Sequence, residues 1–413
     1  MPETVNVPFP QETVAVNGIR LYTINIDDTQ DVVRFSLVFR AGTRFQGKSF
    51  EASAALNMMR EGTQNYTAAG LSEKIDFYGA YLDLNIDRDY SVISVCSLTR
   101  FLPEVLEILG EIVTRPAFHE SEFDIYRSKR KQQLTIEREK VSFLARELFI
   151  SSLYGENHPY GVSSPASDYD LLSVGDLKNF HKKYYSAGNC FAVASGKISL
   201  GDNDKLLNFL SAIEHGDKPE FMPLPEPAAE HKAYLEKEGA VQSAIRIGRL
   251  MFPRTHPDYI GMQVLSTVLG GYFGSRLIMN LREDKGLTYG IYSAMVNMES
   301  SGYFAIGTEV RAEDTETAIR EIYSEIRRLR EEPVSGEELT VVKNVLTGDY
   351  LRILDGPFGI ADVTMENIQN GNDNDYVNRS LAEIKSITPQ RLQDLAVKYF
   401  DEDSFTETIV GRM

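Results

Sequence analysis

Apolar and polar residues alternate along the chain with two different periods. Segments 32–39, 90–96 and 303–310 are rich in β-branched and aromatic residues and alternate in part, which predicts β-strands. Segments 106–113 and 318–329 place apolar residues three and four positions apart, which predicts helices with one buried face. Strands mixed with helices in both halves of the chain predict an α+β fold with helices packed on one face of a sheet.

A stretch near the middle of the chain is repeated at its end. Gly196 follows Lys183-Tyr-Tyr185 in the middle of the chain. Gly411 follows Lys398-Tyr-Phe400 at the end of the chain with the same spacing in sequence. Each half reads as strand, helix, helix, strand, long helix, helix and final strand. A repeat of this length predicts two tandem homologous α/β sandwich domains.

Composition marks the boundary between these domains. Segment 202–238 contains four prolines and many acidic residues, which is typical of a linker. We therefore predict an N-terminal domain over 1–201 and a C-terminal domain over 239–413. A chain of 413 residues is long enough for two hydrophobic cores.

The charge and the cysteines exclude several kinds of site. A net charge of −17 argues against a nucleic-acid partner, which needs a basic surface, but it permits attraction of basic peptides. Cys96 and Cys190 lie in apolar contexts and are expected to be buried free thiols, and two cysteines cannot build a thiolate zinc site.

The chain carries no apolar stretch that suggests a membrane partner, since no uninterrupted run approaches the roughly 18 residues of a spanning helix. The first residues have neither a basic start nor an apolar segment, so the expected location is the cytoplasm.

Four motifs, in this order, carry a family resemblance. They are Ala41-Gly-Thr-Arg-Phe45, Asn157-His-Pro-Tyr-Gly161, Leu269-Gly-Gly-Tyr-Phe-Gly-Ser-Arg-Leu277 and Asn280-Leu-Arg-Glu-Asp-Lys-Gly-Leu-Thr-Tyr289. Together they resemble the pitrilysin/insulinase family of zinc peptidases, in particular its short-chain branch and the mitochondrial processing peptidase. The resemblance covers nearly the whole chain and implies a metallopeptidase half-molecule of the clam-shell type.

Active members of that family bind zinc through His-x-x-Glu-His on a helix, where the two histidines share one face and the glutamate acts as general base. The matching positions here hold Ser53 and Asn57 in place of the histidines and Leu56 in place of the base. The third ligand, a glutamate, is expected near 132–134, which reads Gln-Gln-Leu, although Glu137 and Glu139 are close by. The resemblance therefore implies no metal and no catalytic residue in this chain, with zinc in a catalytic partner.

The same resemblance implies a substrate-binding role for the second half. In the family this half supplies an Arg and a Tyr that hold the peptide, and the matching residues are Arg282 and Tyr289. Gly270 and Gly271 match a glycine-rich segment that contacts substrate in the processing peptidase. The alternatives are that Arg282 pairs with a neighbouring acid, that Tyr289 fills the core, and that the glycines form a tight turn.

The histidines offer no replacement metal site by spacing. None of the six lies three or four residues from another. His158, before a proline, is expected to stabilise a turn, and His256 to cap a helix or lie on the surface. His181 is expected to be half-exposed on a helix. The sequence contains no Gly-x-Ser-x-Gly nucleophile motif.

The leading hypothesis is thus a non-catalytic subunit that binds peptide substrates for a homologous catalytic zinc peptidase subunit in a heterodimer. A homodimer is the alternative assembly. The alternative functions are a structural scaffold or peptide-binding protein without a peptidase role, and a metallopeptidase with an unrecognised site.

Overall fold

A computed structural model describes residues 5–26, 31–220, 223–227 and 230–412. The strands of the first sheet are β1 (Gln11–Val14), β2 (Arg20–Asn25), β3 (Val32–Phe39), β4 (Tyr81–Ile86), β5 (Ser91–Leu98) and β6 (Cys190–Gly196). The strands of the second sheet are β7 (Lys232–Glu236), β8 (Gln242–Met251), β9 (Ile291–Asn297), β10 (Gly302–Arg311) and β11 (Thr406–Gly411).

Helices surround both sheets. Those of the first half are α1 (Glu51–Met58), α2 (Ala68–Phe77), α3 (Leu102–Thr114), α4 (Glu120–Glu137), α5 (Val141–Tyr154), α6 (Val174–Tyr184) and α7 (Leu200–Ser211). Those of the second half are α8 (Tyr259–Ser266), α9 (Thr315–Glu331), α10 (Gly336–Ile353), α11 (Gly356–Gln369), α12 (Tyr376–Ser386) and α13 (Pro389–Tyr399). Two π-helical segments, Thr267–Gly271 and Ile278–Asp284, follow α8. In the described part of the chain, no helix combines the length and apolarity needed to cross a bilayer.

The two sheets have the same topology. Their strand orders are β1-β2-β6-β3-β5-β4 and β7-β11-β8-β10-β9, so β1 is the one addition in the first sheet. The pairs β2–β6 and β7–β11 are parallel, and the other pairs are antiparallel. Gly196 and Gly411 end the equivalent strands with φ of 135° and 141°, a backbone conformation that favours glycine. The prediction of two tandem homologous α+β domains is confirmed.

Each sheet has its own apolar core on one face, formed with helices of its own half. The other face is covered by a helix of the opposite half. Helix α5 packs on β8 and β11, where Ala145 meets Ala244 and Val410. Helix α11 packs on β6 and β3, where Ile360 and Ala361 join the apolar residues of the first sheet.

The helices of each half thus pack on one face of their own sheet, as predicted, and the cover of the other face by the opposite half is a feature that the sequence did not predict. The last five residues of β3 and of β6 are buried in succession, which requires cover on both faces of the sheet. Only the opposite half supplies that cover.

The segment between the halves also differs from the predicted linker at 202–238. Helix α7 belongs to the first half, where Leu206 and Leu210 are buried in the first core. Asp202, which contributed to the acidic composition, is part of a capping box with Ser199 at the start of α7. Strand β7 pairs with β11 in the second sheet, so the connection without regular structure is shorter than predicted.

The histidines and cysteines take structural positions. His158 is buried and its Nδ1 accepts from the amide of Tyr160 at 3.0 Å, while His256 Nδ1 accepts from the amide of Asp258 at 3.0 Å beside α8. The half-buried His181 has its Nε2 atom 2.9 Å from the carbonyl oxygen of Val113. Both cysteines are free thiols, and both are half-buried rather than fully buried.

A buried cluster of charges joins the two halves. Arg44 lies 2.9 Å from Asp89 and 2.8 Å from Glu299 of the second half. The side chains of Arg44 and Asp89 are 6% and 4% exposed, so these charges depend on one another for solvation. Arg40 also pairs with Glu299 at 2.7 Å, and the Tyr160 hydroxyl donates to Asp89 at 2.5 Å.

Replacement of Arg44 by Met is expected to lower the free energy of unfolding by about 3–5 kcal/mol, because the buried carboxylate of Asp89 loses its cation while Glu299 keeps only Arg40. Urea denaturation followed by circular dichroism measures the change. Arg311→Met is the control, since Arg311 is exposed and pairs only with near neighbours in sequence. A loss below about 1 kcal/mol for Arg44→Met would show that the cluster does not hold the halves together.

Candidate functional site

The degenerate motif lies on α1, with its polar side chains bonded to the helix itself. Ser53 Oγ donates to the carbonyl oxygen of Phe50 at 3.1 Å, and Asn57 Nδ2 donates to that of Ser53 at 2.7 Å. Both side chains are half-buried, whereas Leu56 is fully buried in the first core. The position of the family's general base is thus an apolar packing position here.

Helix α4 covers this face of α1 and brings a cation to it. Arg130 Nη2 donates to Asn57 Oδ1 at 3.5 Å, and the Tyr126 hydroxyl donates to the carbonyl oxygen of Ser53, also at 3.5 Å. Burial raises the pKa of Tyr126, and the positive charge of Arg130 opposes that rise. Sequence reasoning missed Arg130. The available signal is that Tyr126 and Arg130 lie one helical turn apart, as Ser53 and Asn57 do.

The residues expected around the third ligand position lie further along α4. Gln132 and Gln133 are exposed and Leu134 is half-buried. Gln133 accepts from Arg130 Nη1 at 3.2 Å and donates to Glu137 at 3.2 Å, while Glu139 pairs with Lys237 at 3.0 Å. These side chains therefore bond to one another and to basic residues.

The residues on this face do not fit a zinc ion. Zinc in proteins takes imidazole, thiolate or carboxylate ligands. Within the described ranges, no three or more His, Cys, Asp or Glu side chains are grouped so that they could hold a metal. The guanidinium of Arg130 next to Asn57 adds a fixed positive charge, which disfavours any cation there.

In the second half, Arg282 lies on the π-helical segment 278–284. Its Nε is 3.4 Å from Glu283 Oε1, and its guanidinium lies over the ring of Phe273 at 5.2 Å. The side chain is partly exposed, at 41%. Arg282 thus makes the neighbouring ion pair that the alternative interpretation describes, and it also keeps a face toward solvent.

Tyr289 lies in the loop before β9 and is 93% exposed. The alternative that it fills the core is therefore wrong. Single exposed aromatic side chains are common on protein surfaces, so the exposure of Tyr289 is compatible with a binding role but does not require one.

Gly270 and Gly271 end the π-helical segment that follows α8. Gly270 is buried, and a Cβ there would lie 2.6 Å from the amide nitrogen of Ser293 on β9. A Cβ on Gly271 would meet the side chain of Thr267 at 3.2 Å. The glycines therefore allow the helix end to approach the strand closely, as the tight-turn interpretation describes.

A cleft between the two halves runs past the degenerate motif. Its larger part is a cavity of about 640 Å³ with walls from both halves, and a second cavity of about 440 Å³ leads from it to Ser53. The two parts share five lining residues, Asp87, Arg88, Glu147, Val162 and Ser163. Arg282 and Tyr289 do not line either part, so one chain alone does not place them against α1 in a common cavity.

Two tandem α+β domains joined around a cleft, with a degenerate motif on α1, define the class of two-domain peptidase-like chains. Residues 22–158 match the family model described as Insulinase (Peptidase family M16), and residues 172–346 match that of the Peptidase M16 inactive domain. The two stretches together span more than half of the chain. The chain belongs to peptidase family M16, the pitrilysin/insulinase family.

Relatives agree with this assignment. An uncharacterized zinc protease of Bacillus subtilis is 22% identical over 391 residues, covering 94% of this chain and 95% of that protein. The beta subunit of the mitochondrial processing peptidase of Rattus norvegicus is 22% identical over 414 residues, covering 96% and 83%. These proteins are similar to this chain in sequence along most of its length.

Solved structures show the same fold. The crystal structure of a peptidase M16 inactive domain from Pseudomonas fluorescens has a TM-score of 0.89 at 22% identity and covers 98% of both chains. A protease from Helicobacter pylori also has a TM-score of 0.89, at 17% identity, covering 98% of this chain and 99% of that one.

We predict that two histidines are not enough to rebuild a zinc site on α1. Ser53→His with Asn57→His is expected to bind zinc weakly, because Arg130 remains and no carboxylate completes the set. Adding Arg130→Gln and Gln133→Glu is expected to raise the zinc affinity by about tenfold or more, since the cation is removed and a third ligand supplied. Competition with a zinc chelator measures both affinities.

The matched control keeps the charge and moves it on the helix. Gln132→Glu replaces Gln133→Glu in the four-residue variant and is expected to return the affinity to that of the two-histidine variant, because position 132 points elsewhere on α4. Equal affinity with the carboxylate at either position would contradict the placement of α4 over the motif.

Proposed function

We propose that this chain is a non-catalytic subunit of an M16-type zinc peptidase and holds peptide substrates for a homologous catalytic subunit. The observation that carries the proposal is the pairing of Arg130 with Asn57, which puts a guanidinium where active members need a metal. In the proposed heterodimer, the partner supplies the zinc and its ligands. This chain contributes Arg282, Tyr289 and part of the chamber wall.

The exposure of Arg282 and Tyr289 supports a substrate-binding role for this chain beside a catalytic partner. Tyr289 is free to donate its hydroxyl to a peptide carbonyl as negative charge develops on the oxygen. The guanidinium of Arg282 is planar and can donate hydrogen bonds to a carbonyl or carboxylate oxygen. Its contact with the Phe273 ring orients it. Neither residue shares a cavity with α1 of its own chain, which suits an action on substrate held by another subunit.

An open sheet edge adds a way to hold an extended peptide. Strand β4 is the last strand of the first sheet, and its outer edge has no partner strand in the described part of the chain. Such an edge can accept a peptide as an additional strand through backbone hydrogen bonds. Because β4 packs beside α1, a peptide bound there would pass the degenerate motif uncut.

A scaffold or peptide-binding role without a catalytic partner is the second candidate. The ion pair of Arg282 with Glu283 favours it, because an arginine already paired needs no substrate to explain it. A homodimer is the corresponding assembly. The cytoplasm is the proposed location for either role.

The proposed role predicts the behaviour of Arg282→Ala and Tyr289→Phe in the presence of the catalytic partner. Each is expected to lower the kcat/KM for peptide cleavage by about a hundredfold, since each removes a donor to the developing charge. Cleavage of a fluorogenic peptide by the purified pair measures the effect. The chain alone is expected to be inactive.

Controls separate this role from a loss of structure. Arg311→Ala and Tyr234→Phe change exposed or partly exposed residues of the same half and are expected to leave cleavage unchanged. The unfolding free energies of all four variants are expected to stay within about 0.5 kcal/mol of the original chain. A partner that cleaves equally well without this chain would refute the proposal in favour of a scaffold.

A further inference from the structure

The cleft between the halves is lined by five acidic residues and two arginines. Its acidic side chains are already engaged by hydrogen bonds or ion pairs. Glu147 pairs with Arg138 at 3.0 Å, Glu299 pairs with Arg40 and Arg44, and Glu366 pairs with Arg254. The remaining acids are Asp89, which pairs with Arg44, and Asp87, which accepts from the backbone amides of Asp89 and Tyr90.

Two arginines remain in the cleft after these pairings. Arg88 and Arg146 both line the larger cavity, and in the described residues neither guanidinium forms an ion pair or a hydrogen bond with another side chain. Arg88 is half-buried on the turn between β4 and β5, whereas Arg146 is exposed on α5 and its guanidinium lies over the ring of Phe143 at 5.1 Å. Two arginines without a paired acid in one cleft can attract an anionic ligand.

The backbone holds Arg88 firmly in place. The amides of Gly42, Thr43 and Arg44 donate to the carbonyl oxygens of residues 89, 87 and 88 at 2.9–3.1 Å. A Cβ on Gly42 would lie 2.4 Å from the carbonyl carbon of Arg88, so only glycine permits this approach. A fixed backbone reduces the conformational entropy that Arg88 would lose on binding.

Tyrosines complete the lining around the two cations. Tyr154, Tyr160 and Tyr303 all border the cavity, although Tyr154 and Tyr160 are fully buried and only Tyr303 keeps a partly exposed side chain. Burial raises the pKa of Tyr303, and the positive charges of Arg88, Arg146 and Arg246 oppose that rise. The site thus combines two guanidinium groups with an aromatic side chain. Its volume of about 640 Å³ is within the usual range for a ligand pocket.

We propose that this cleft binds a peptide carboxylate between Arg88 and Arg146, with the adjoining residues of the peptide against Tyr303. Arginine forks match the planar geometry of a carboxylate and form charge-assisted hydrogen bonds with it. The carboxylate can belong to the C-terminus of the peptide or to an acidic side chain. The choice of a peptide as ligand rests on the proposed function, but binding needs no partner subunit.

The test measures binding of acetylated pentapeptides to the full chain alone by calorimetry. One peptide of neutral residues has a free C-terminal carboxylate, a second is its C-terminal amide, and a third is an amide with one internal glutamate. The free acid is expected to bind about tenfold or more tightly than the neutral amide, because only the acid forms the charge-assisted bonds. A third peptide that binds as tightly as the acid would show that the site accepts an acidic side chain as well as the C-terminus. A third peptide as weak as the neutral amide would identify the C-terminus as the source of the carboxylate.

Arg88→Gln and Arg146→Gln are each expected to lower affinity for the acid by about tenfold and to leave affinity for the neutral amide unchanged. Arg311→Gln, an exposed arginine outside the cleft, is the matched control and is expected to change neither. Equal binding of acid and amide by the original chain, with no tighter binding of the glutamate peptide, would overturn the inference. An unchanged affinity of both cleft variants for the acid would also overturn it.

These outcomes are distinguishable from failure of the proposed function. If all three peptides bind equally while Arg282→Ala still abolishes activation of the partner, only the carboxylate site is refuted. If the acid is preferred in the arginine-dependent way but no partner is activated, the cleft stands as a carboxylate site and the subunit role is refuted.

Discussion

The buried charge cluster of Arg44, Asp89 and Glu299 is the interaction on which the arrangement of the two halves depends. Charges so far from water are tolerated only when each is paired and hydrogen-bonded. Asp89 meets this need through Arg44, the Tyr160 hydroxyl and the backbone amide of Glu299. Because the partners come from both halves, any relative movement of the halves would break these bonds together. These contacts therefore favour the observed arrangement of the halves and of the cleft between them.

The exchange of helices follows from the same duplication. Each sheet buries its second face under a helix of the other half, α5 on the second sheet and α11 on the first. This exchange also forms the cleft, since α5 carries Arg146 and α11 carries Glu366 into its wall. The contacts that stabilise the pair of domains thus also set the distances across the proposed carboxylate site.

The side chains of the degenerate motif are accommodated within the same fold. Asn57 and Ser53 satisfy their hydrogen bonds on α1 itself, Leu56 packs in the core, and Arg130 supplies the positive charge on the facing helix. None of these residues strains the helix that carries it. Arg282 and Tyr289 lie in the other domain, away from the degenerate motif, so the proposed separation of peptide binding and cleavage between subunits requires no change around them.

The amino-acid sequence by itself determined the α+β class, the duplication, the identities at the metal positions and the candidate pair Arg282 and Tyr289, because these depend on local periodicity and on residue type. The sequence indicated an acidic linker where α7 continues the first domain, since a capping aspartate and a linker aspartate look alike without their partners. Only the tertiary structure decided which residues meet across long separations. Arg130 reaches Asn57 across 73 residues, and the amide of Glu299 reaches Asp89 across 210. Such contacts depend on how helices and sheets pack, and that information is distributed over the whole chain.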